Sequence, residues 1–246
     1  MSAPPGDLFA GRTFTVPRER RGRLAAVVAR HVDRSQPLRV LDLGCGTGAQ
    51  VLVLAEMLPR ARVVGIDVSA ASIEAARAAR AAHPAADRIE LAVADYMAFA
   101  GGPFDVVVSD TVLYAIPVDT ASLFAKLARD LVEGGLLVYT MPVASWYNRA
   151  LGVVRRLARA LRGRALDAIV LAVARALHGR EWDEALLRER IPYMYVVPFR
   201  WDSAALHARM AERWGLPVIA TEAVPHASPA QLQHCLVVAR RRSAHR

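Results

Sequence analysis

Asp42 and three closely spaced glycines, Gly44, Gly46 and Gly48, form the densest group of ligand-contacting residue types in the sequence. Glycine allows positive φ angles and has no Cβ atom, so a ligand can lie directly against the main chain. The helix that we expect to begin near Ala49 directs N–H groups at the same turn. Because Asp42 adds negative charge beside the turn, the group favours a ligand with a cationic part over the pyrophosphate of a dinucleotide.

The spacing of these residues also permits other interpretations. Gly44, Gly46 and Ala49 fit the pattern Gly-x-Gly-x-x-Ala of a dinucleotide-binding unit, in which an acid about 20 residues further on holds a ribose. Asp67 fits that role as well. An ordinary strand-to-helix turn would also use such glycines, so the surrounding residues must decide between these interpretations.

The elements around these residues alternate between strand and helix from Leu38 onward, as a parallel sheet with crossover connections requires. The predicted strands are residues 39–43, 62–66, 89–94, 105–109, 136–139, 218–223 and 234–239. The first predicted helix begins at Pro17. The later predicted helices cover residues 48–58, 69 to about 82, 119 to about 132 (ended by Gly134), two stretches within 145–200, and 202–214. Asp67, Asp95 and Asp110 each directly follow a predicted strand, which places them at the carboxyl edge where open α/β sheets bind ligands.

The run from Leu41 to Gly48 resembles motif I of the class I S-adenosylmethionine-dependent methyltransferases, and specifically their small-molecule type. Three later markers of that family follow in order: Gly-Ile-Asp-Val-Ser at 65–69, Val-Ala-Asp-Tyr-Met at 93–97, and Phe-Asp-Val-Val-Val-Ser-Asp at 104–110. The resemblance implies an α/β fold, a Rossmann-like three-layer sandwich with a seven-stranded, mostly parallel sheet whose final strand is antiparallel, and a helical cap insertion.

The resemblance also implies how the chain would hold S-adenosylmethionine, whose reaction product is S-adenosylhomocysteine. An acid and the main chain of the glycine turn would contact the methionine part. An acid after the second strand would bind the ribose, and residues after the third strand would contact the adenine. In chain order the implied cofactor-binding residues are Asp42, Gly44, Cys45, Gly46, Gly48, Asp67, Val68, Asp95, Tyr96, Met97 and Ser109. A structural role competes for each acid, because Asp at a strand end frequently caps the following turn.

Two residues past the fourth strand, Asp110 and Tyr114, are candidates for a general base if the acceptor is a hydroxyl. Packing alone would explain either residue equally well. The stretch Ser109-Asp110-Thr111-Val112 does not match the Asp/Asn-Pro-Pro-aromatic pattern of methyltransferases that act on amino groups of nucleobases or glutamine. We therefore favour O-methylation of a small, partly hydrophobic acceptor in secondary or lipid metabolism, and we expect no metal site.

The inserted region, residues 145–200, concentrates both aromatic residues and positive charge. Tyr147, Tyr193 and Tyr195 could line an acceptor pocket or merely pack the cap onto the sheet. The formal net charge is +9, and residues 149–180 contain eight arginines against one acid, Asp167. Solvated arginines are the plain explanation, and contact with an anionic membrane surface is the functional one.

These observations predict three parts: an N-terminal helical arm or lid at 1–35, a cofactor-binding core at 36–144 and 201–246, and the cap at 145–200. Three alternative functions stay open: an RNA methyltransferase that uses the insertion arginines, an NAD(P)-binding oxidoreductase, and a non-catalytic, membrane-associated cofactor binder. From the printed sequence we expect neither a signal segment nor a bilayer-spanning stretch. We expect a cytoplasmic protein, monomeric or homodimeric, with a small-molecule acceptor and no nucleic-acid partner.

Overall fold

The computed structural model describes residues 22–178, 184, 187–188, 191, 195–225 and 231–243. The strands in this part of the chain are β1 (Arg39–Leu43), β2 (Arg62–Asp67), β3 (Ile89–Val93), β4 (Phe104–Asp110), β5 (Leu131–Pro142), β6 (Val218–Val224) and β7 (His234–Arg240). The helices are α1 (Arg23–His31), α2 (Ala49–Met57), α3 (Ala70–Ala81), α4 (Thr120–Asp130), α5 (Trp146–Ala160), α6 (Arg164–His178) and α7 (Ala204–Trp214).

The seven strands form one sheet in the order β3-β2-β1-β4-β5-β7-β6. β7 runs antiparallel to both of its neighbours, whereas the pairs from β3 to β5 are parallel. The predicted mostly parallel sheet with an antiparallel final strand is therefore confirmed. β1 pairs with β2 on one side and β4 on the other, so the strand order reverses beside β1, and open α/β sheets bind ligands at such a switch point.

Two hydrophobic cores cover the two faces of the sheet, which confirms the three-layer arrangement. Successive strand residues point to opposite faces, and accordingly Val40 of β1 lies in one core while Leu41 lies in the other. The first core is closed by α1, α2 and α3, with Leu54 and Ile73 fully buried. The second core is closed by α4 and α7, through side chains such as Phe124. The sheet is thus held rigidly where its carboxyl ends carry the candidate site.

The predicted boundary between α4 and β5 is wrong. The sequence predicts a helix through about residue 132, with Gly134 as its stop signal, and a strand from Leu136. In the structure α4 ends at Asp130 and β5 already includes Leu131. Leu131 pairs with Phe104 of β4, and Gly134, with a φ of 73°, donates its N–H to the carbonyl of Arg241. The glycine therefore serves an irregular strand rather than a helix terminus.

The region after β5 contains the two predicted helices, α5 and α6. The first turn of α5 is fixed to the sheet by Asn148, whose Nδ2 donates to the carbonyls of Val143 and Gln233 at 2.8 Å each. Ser145 caps the helix by accepting from the Asn148 N–H. None of the helices in the described residues combines the length and hydrophobicity that a bilayer span needs. Residues 1–21 of the predicted arm lie outside the described residues.

Candidate active site

The glycine turn between β1 and α2 is packed so closely that side chains are excluded from it. Gly44 has a φ of 76° and Gly48 a φ of 81°, which favour glycine. A Cβ atom on Gly44 would lie 2.4 Å from Cγ2 of Val112, and one on Gly48 would lie 2.9 Å from the Cβ of Ala76. Both glycines are therefore required by the conformation and by neighbouring protein atoms.

The N–H groups of this turn are used within the protein. Gly44 and Cys45 donate to the carbonyl of Ile66 at 2.8 and 3.0 Å, and Gly48 donates to the carbonyl of Cys45 at 3.0 Å. The Gly46 N–H donates to Oδ2 of Asp67 at 2.9 Å. A phosphate-binding turn works by leaving such N–H groups for the anion, so this arrangement opposes the dinucleotide interpretation.

Asp42 supplies the feature that a cationic ligand would match. Its side chain is only 2% exposed, and its Oδ2 has no hydrogen-bond partner among the described residues. Burial, followed by the nearby charges of Asp110 and Asp67, raises the pKa of Asp42 to about 8. A buried carboxyl oxygen without a donor is unfavourable. The ammonium group of a methionine moiety would supply both charge and donors, so Asp42 fits the implied cofactor.

Gln50 is a second polar side chain that the sequence reasoning missed. It lies in the first turn of α2, is 2% exposed, and neither its Oε1 nor its Nε2 has a hydrogen-bond partner among the described residues. Buried amides are normally paired. An amide directly after the glycine turn is the sequence signal that could have identified it as a ligand-contacting candidate.

Asp67 and Asp95 both perform the capping role that competed with ligand binding. Oδ1 of Asp67 accepts from the Ser69 N–H at 2.8 Å, while Oδ2 accepts from Gly46. Burial raises the pKa of Asp67, and these N–H bonds oppose that rise. Asp95 is exposed, and its Oδ1 accepts from the Met97 N–H at 2.8 Å. A carboxylate has further acceptor sites, so the ribose and adenine contacts stay predictions.

Three of the other implied cofactor-binding residues direct their side chains into the protein. Cys45 packs against Gly65 in the first core, where burial raises the pKa of its thiol. Tyr96 is buried in the second core. Ser109 is fully buried and donates its hydroxyl to the Leu43 carbonyl at 3.1 Å, joining β4 to β1. Only the main chain of Cys45 and Tyr96 could therefore contact a ligand. Cofactor contact by Ser109, and by the half-exposed Val68, stays a prediction.

Asp110, the first candidate base, is held by two threonines that the sequence reasoning did not single out. Thr140 Oγ1 donates to Asp110 Oδ1 at 2.5 Å and accepts from the Thr111 N–H at 2.8 Å. Thr111 has a φ of 60°, which is unusual for a β-branched residue. The charge of Asp110 contributes to the raised pKa of Asp42, which indicates that the two carboxyl groups lie near each other. A role of Asp110 in the reaction stays a prediction.

Tyr114, the second candidate, and the α5 residue Arg155 both bond to the segment before α7, since the Tyr114 carbonyl accepts from the Phe199 N–H at 2.8 Å. Tyr114 is buried, and its ring lies 5.8 Å from the ring of His234. Arg155 is 6% exposed, its Nη1 donates to the Val196 carbonyl at 3.2 Å, and burial lowers its pKa while Tyr114 and Tyr147 oppose that change. The expectation that the insertion arginines are all solvated is therefore wrong for Arg155.

The other predicted acceptor-site tyrosines are not brought to this place by the described structure. Tyr195 donates its hydroxyl to Asp167 Oδ1 at 2.6 Å, and the Arg162 guanidinium lies 4.8 Å from its ring centre. Burial and Asp167 together raise the Tyr195 pKa to about 12. Tyr195 thus ties the segment before α7 to α6. Tyr193 lies outside the described residues.

The strand order, the glycine turn and the acids around it define a Rossmann-like protein of the class I S-adenosylmethionine-dependent methyltransferase type. Residues 35–172, more than half of the chain, match the family model described as "Methyltransferase domain". The chain belongs to this methyltransferase domain family, as the motifs predicted.

Curated relatives match about half of the chain. The trans-aconitate 2-methyltransferase of Azoarcus sp. (strain BH72) is 38% identical over 125 residues, 50% of this chain and 47% of the relative. The same enzyme from Afipia carboxidovorans is 34% identical over 124 residues, 50% of this chain and 46% of the relative. The chain therefore spans about half the length of the curated relatives it matches.

Two solved structures share the fold over most of their length. The N-methyltransferase NodS from Bradyrhizobium japonicum WM9, in complex with S-adenosyl-L-homocysteine, has a TM-score of 0.56 at 19% identity and covers 91% of this chain and 86% of its own. Magnesium protoporphyrin IX methyltransferase from Synechocystis PCC 6803 has a TM-score of 0.58 at 17% identity. The match covers 96% of this chain and 91% of the solved chain.

Proposed function

We propose that this chain transfers the methyl group of S-adenosylmethionine to a carboxylate oxygen of a small, partly hydrophobic acid. The observation that carries the cofactor part of this proposal is the buried Oδ2 of Asp42, which has no hydrogen-bond partner among the described residues, at the switch point of the sheet. When bound, the cofactor supplies a methyl group made electrophilic by the positive sulfonium.

The residues of the chain bind and orient the two reactants. Asp42 receives the cationic end of the cofactor, and Asp67, held between Gly46 and Ser69, presents its remaining acceptor sites to the ribose. Asp110 adds negative charge toward the same side. Acidic groups held in place in this way favour a cationic ligand, because they need little reorganisation during the reaction.

The proposal of a carboxylate as the acceptor is based on Arg155, Tyr114 and Tyr147. A buried guanidinium is the group that recognises a carboxylate most specifically in proteins. Tyr114 and Tyr147 oppose the lowering of the Arg155 pKa, which indicates that both phenols lie near this guanidinium. A carboxylate is already ionised near neutral pH, so its methylation needs no general base. In that case Tyr114 orients the acceptor rather than removing its proton. The matched relatives are named for methylation of trans-aconitate, which supports an acidic acceptor.

The proposal is tested in two steps with the purified chain. Calorimetric titration with S-adenosylhomocysteine, with NADH and NADP⁺ as controls, tests the cofactor, and we expect micromolar binding of the thioether alone. Methyl transfer is then measured with trans-aconitate and related acids, each compared with its amide, and with Arg155→Met and the milder Arg155→Lys. We expect Arg155→Met to raise KM for the acids at least about tenfold while S-adenosylhomocysteine affinity is retained.

Three results would contradict the proposal and favour an alternative. Dinucleotide binding would favour the oxidoreductase. S-adenosylhomocysteine binding without methylation of any acid would favour a different acceptor or the non-catalytic binder. Salt-sensitive RNA binding with methyl transfer to RNA would favour the RNA methyltransferase.

A further inference from the structure

α5 exposes a row of large apolar residues, while two polar side chains, Asn148 and Arg155, are buried on its other side. Trp146, Val153, Leu157 and Leu161 follow one another at spacings of a helix face and are 81%, 50%, 60% and 75% exposed. We call these four residues the outer face of α5. On the opposite side of the same helix, the buried residues are Asn148, Gly152 and Arg155.

An apolar stripe of this length on one helix face has a different meaning from scattered apolar residues. Single exposed hydrophobic side chains are common on soluble proteins, whereas contiguous apolar patches mark surfaces that bind something. Trp146 at one end of the stripe has a ring suited to the boundary between water and lipid. The inner face of α5 is already packed, so the outer face is not needed for the core.

The positive charge beside the outer face favours an anionic lipid surface over a second copy of the chain as its binding partner. Arg149 and Arg156 of α5 and Arg164 of α6 are exposed. Asp167, the acid of residues 149–180, already accepts from the Tyr195 hydroxyl. A second copy of the chain would bring two such positive surfaces together, and like charges across an interface are unfavourable. An anionic lipid surface offers hydrocarbon for the stripe and negative charge for the arginines.

We propose that the outer face of α5 docks on the surface of an anionic bilayer, with the helix axis parallel to the membrane plane. The same helix buries Arg155 on its inner side. Docking would therefore leave Arg155 on the side of α5 that faces away from the lipid. This surface contact is independent of the identity of the acceptor and of the reaction.

The test is co-sedimentation of the full chain with phosphatidylcholine vesicles that contain or lack phosphatidylserine. We expect binding to the anionic vesicles alone, about tenfold weaker partitioning for Leu157→Glu, and a smaller, salt-sensitive loss for Arg149→Glu/Arg156→Glu. The matched controls are Ile219→Glu, an apolar residue that is 47% exposed on β6, and Arg213→Glu, an exposed arginine of α7. Both controls should bind as the wild type does.

A second readout and a folding check keep the outcomes distinct. Trp146→Phe should remove most of the blue shift in tryptophan emission on vesicle binding, and every variant should retain S-adenosylhomocysteine affinity. Absence of binding to anionic vesicles, or an equal loss with Ile219→Glu, would overturn the proposal. So would a dimer in analytical ultracentrifugation that Leu157→Glu abolishes, because the outer face would then be occupied by a second copy.

Discussion

Binding of S-adenosylhomocysteine should release a proton from Asp42, and this prediction tests the site most directly. Burial and the charges of Asp110 and Asp67 raise the Asp42 pKa to about 8, so the ligand-free protein carries about 0.9 proton on this carboxyl at pH 7. The ammonium group of the ligand favours the ionised carboxylate. Below the raised pKa, affinity should therefore rise about tenfold for each pH unit, equivalent to about 1.4 kcal/mol.

The measurement is calorimetric titration from about pH 5 to about pH 7, a range in which the ligand's ammonium stays charged. Repeating each titration in two buffers of different ionisation enthalpy gives the number of protons released. Asp42→Asn is the control, because it has no proton to lose and should bind more weakly with a flat pH profile. An affinity in the wild-type chain that does not change over this range would refute the reasoning, as would an unchanged slope in Asp42→Asn.

Three further predictions concern stability and the turn. Because folding raises the pKa of Asp42 from 3.8 to about 8, its contribution to stability is full below pH 3.8 and is lost as the pH rises toward about 8. Asp42→Asn should therefore raise the melting temperature of the ligand-free protein, by an amount that grows between these two pH values. Gly44→Ala should destabilise more than Gly134→Ala in chemical unfolding, since both have positive φ but only the former meets a neighbour, Val112; equal losses would mean that φ alone matters. Asp67→Ala should weaken S-adenosylhomocysteine binding by about 2 to 3 kcal/mol, and unchanged calorimetric affinity would remove Asp67 from the site.

The fold could be predicted from the sequence because its signals are local and repeated. The glycine turn, the Ser69 cap of α3 and the short apolar strands each fix an element without reference to distant residues, and the structure confirms them. The boundary at Gly134 could not be predicted in the same way. A glycine near a helix end usually terminates it, but here the pairing of Leu131 with Phe104 begins the strand earlier.

The orientation of α5 was equally inaccessible to sequence reasoning. The spacing of Leu151, Val154, Ala158 and Leu161 predicts an amphipathic helix, and α5 contains the first three of these residues. Periodicity shows that a stripe exists, but the surroundings decide which side of it faces inward. Arg155 is buried and donates to the Val196 carbonyl, a group 41 residues further along the chain. A contact between segments so far apart cannot be read from the periodicity of α5.

The hydrogen bonds of the glycine turn explain why one spacing can serve two classes of ligand. A turn that leaves its N–H groups exposed attracts phosphate, whereas here Gly44 and Cys45 bond to Ile66 and Gly46 bonds to Asp67. In the proposed site the ligand would meet carboxyl groups instead, and burial with the nearby acids raises the pKa of Asp42, as expected when no cation is bound. A positively charged sulfonium would gain more from these acids than a neutral thioether. We therefore expect the proposed site to favour exchange of the spent product for a new donor.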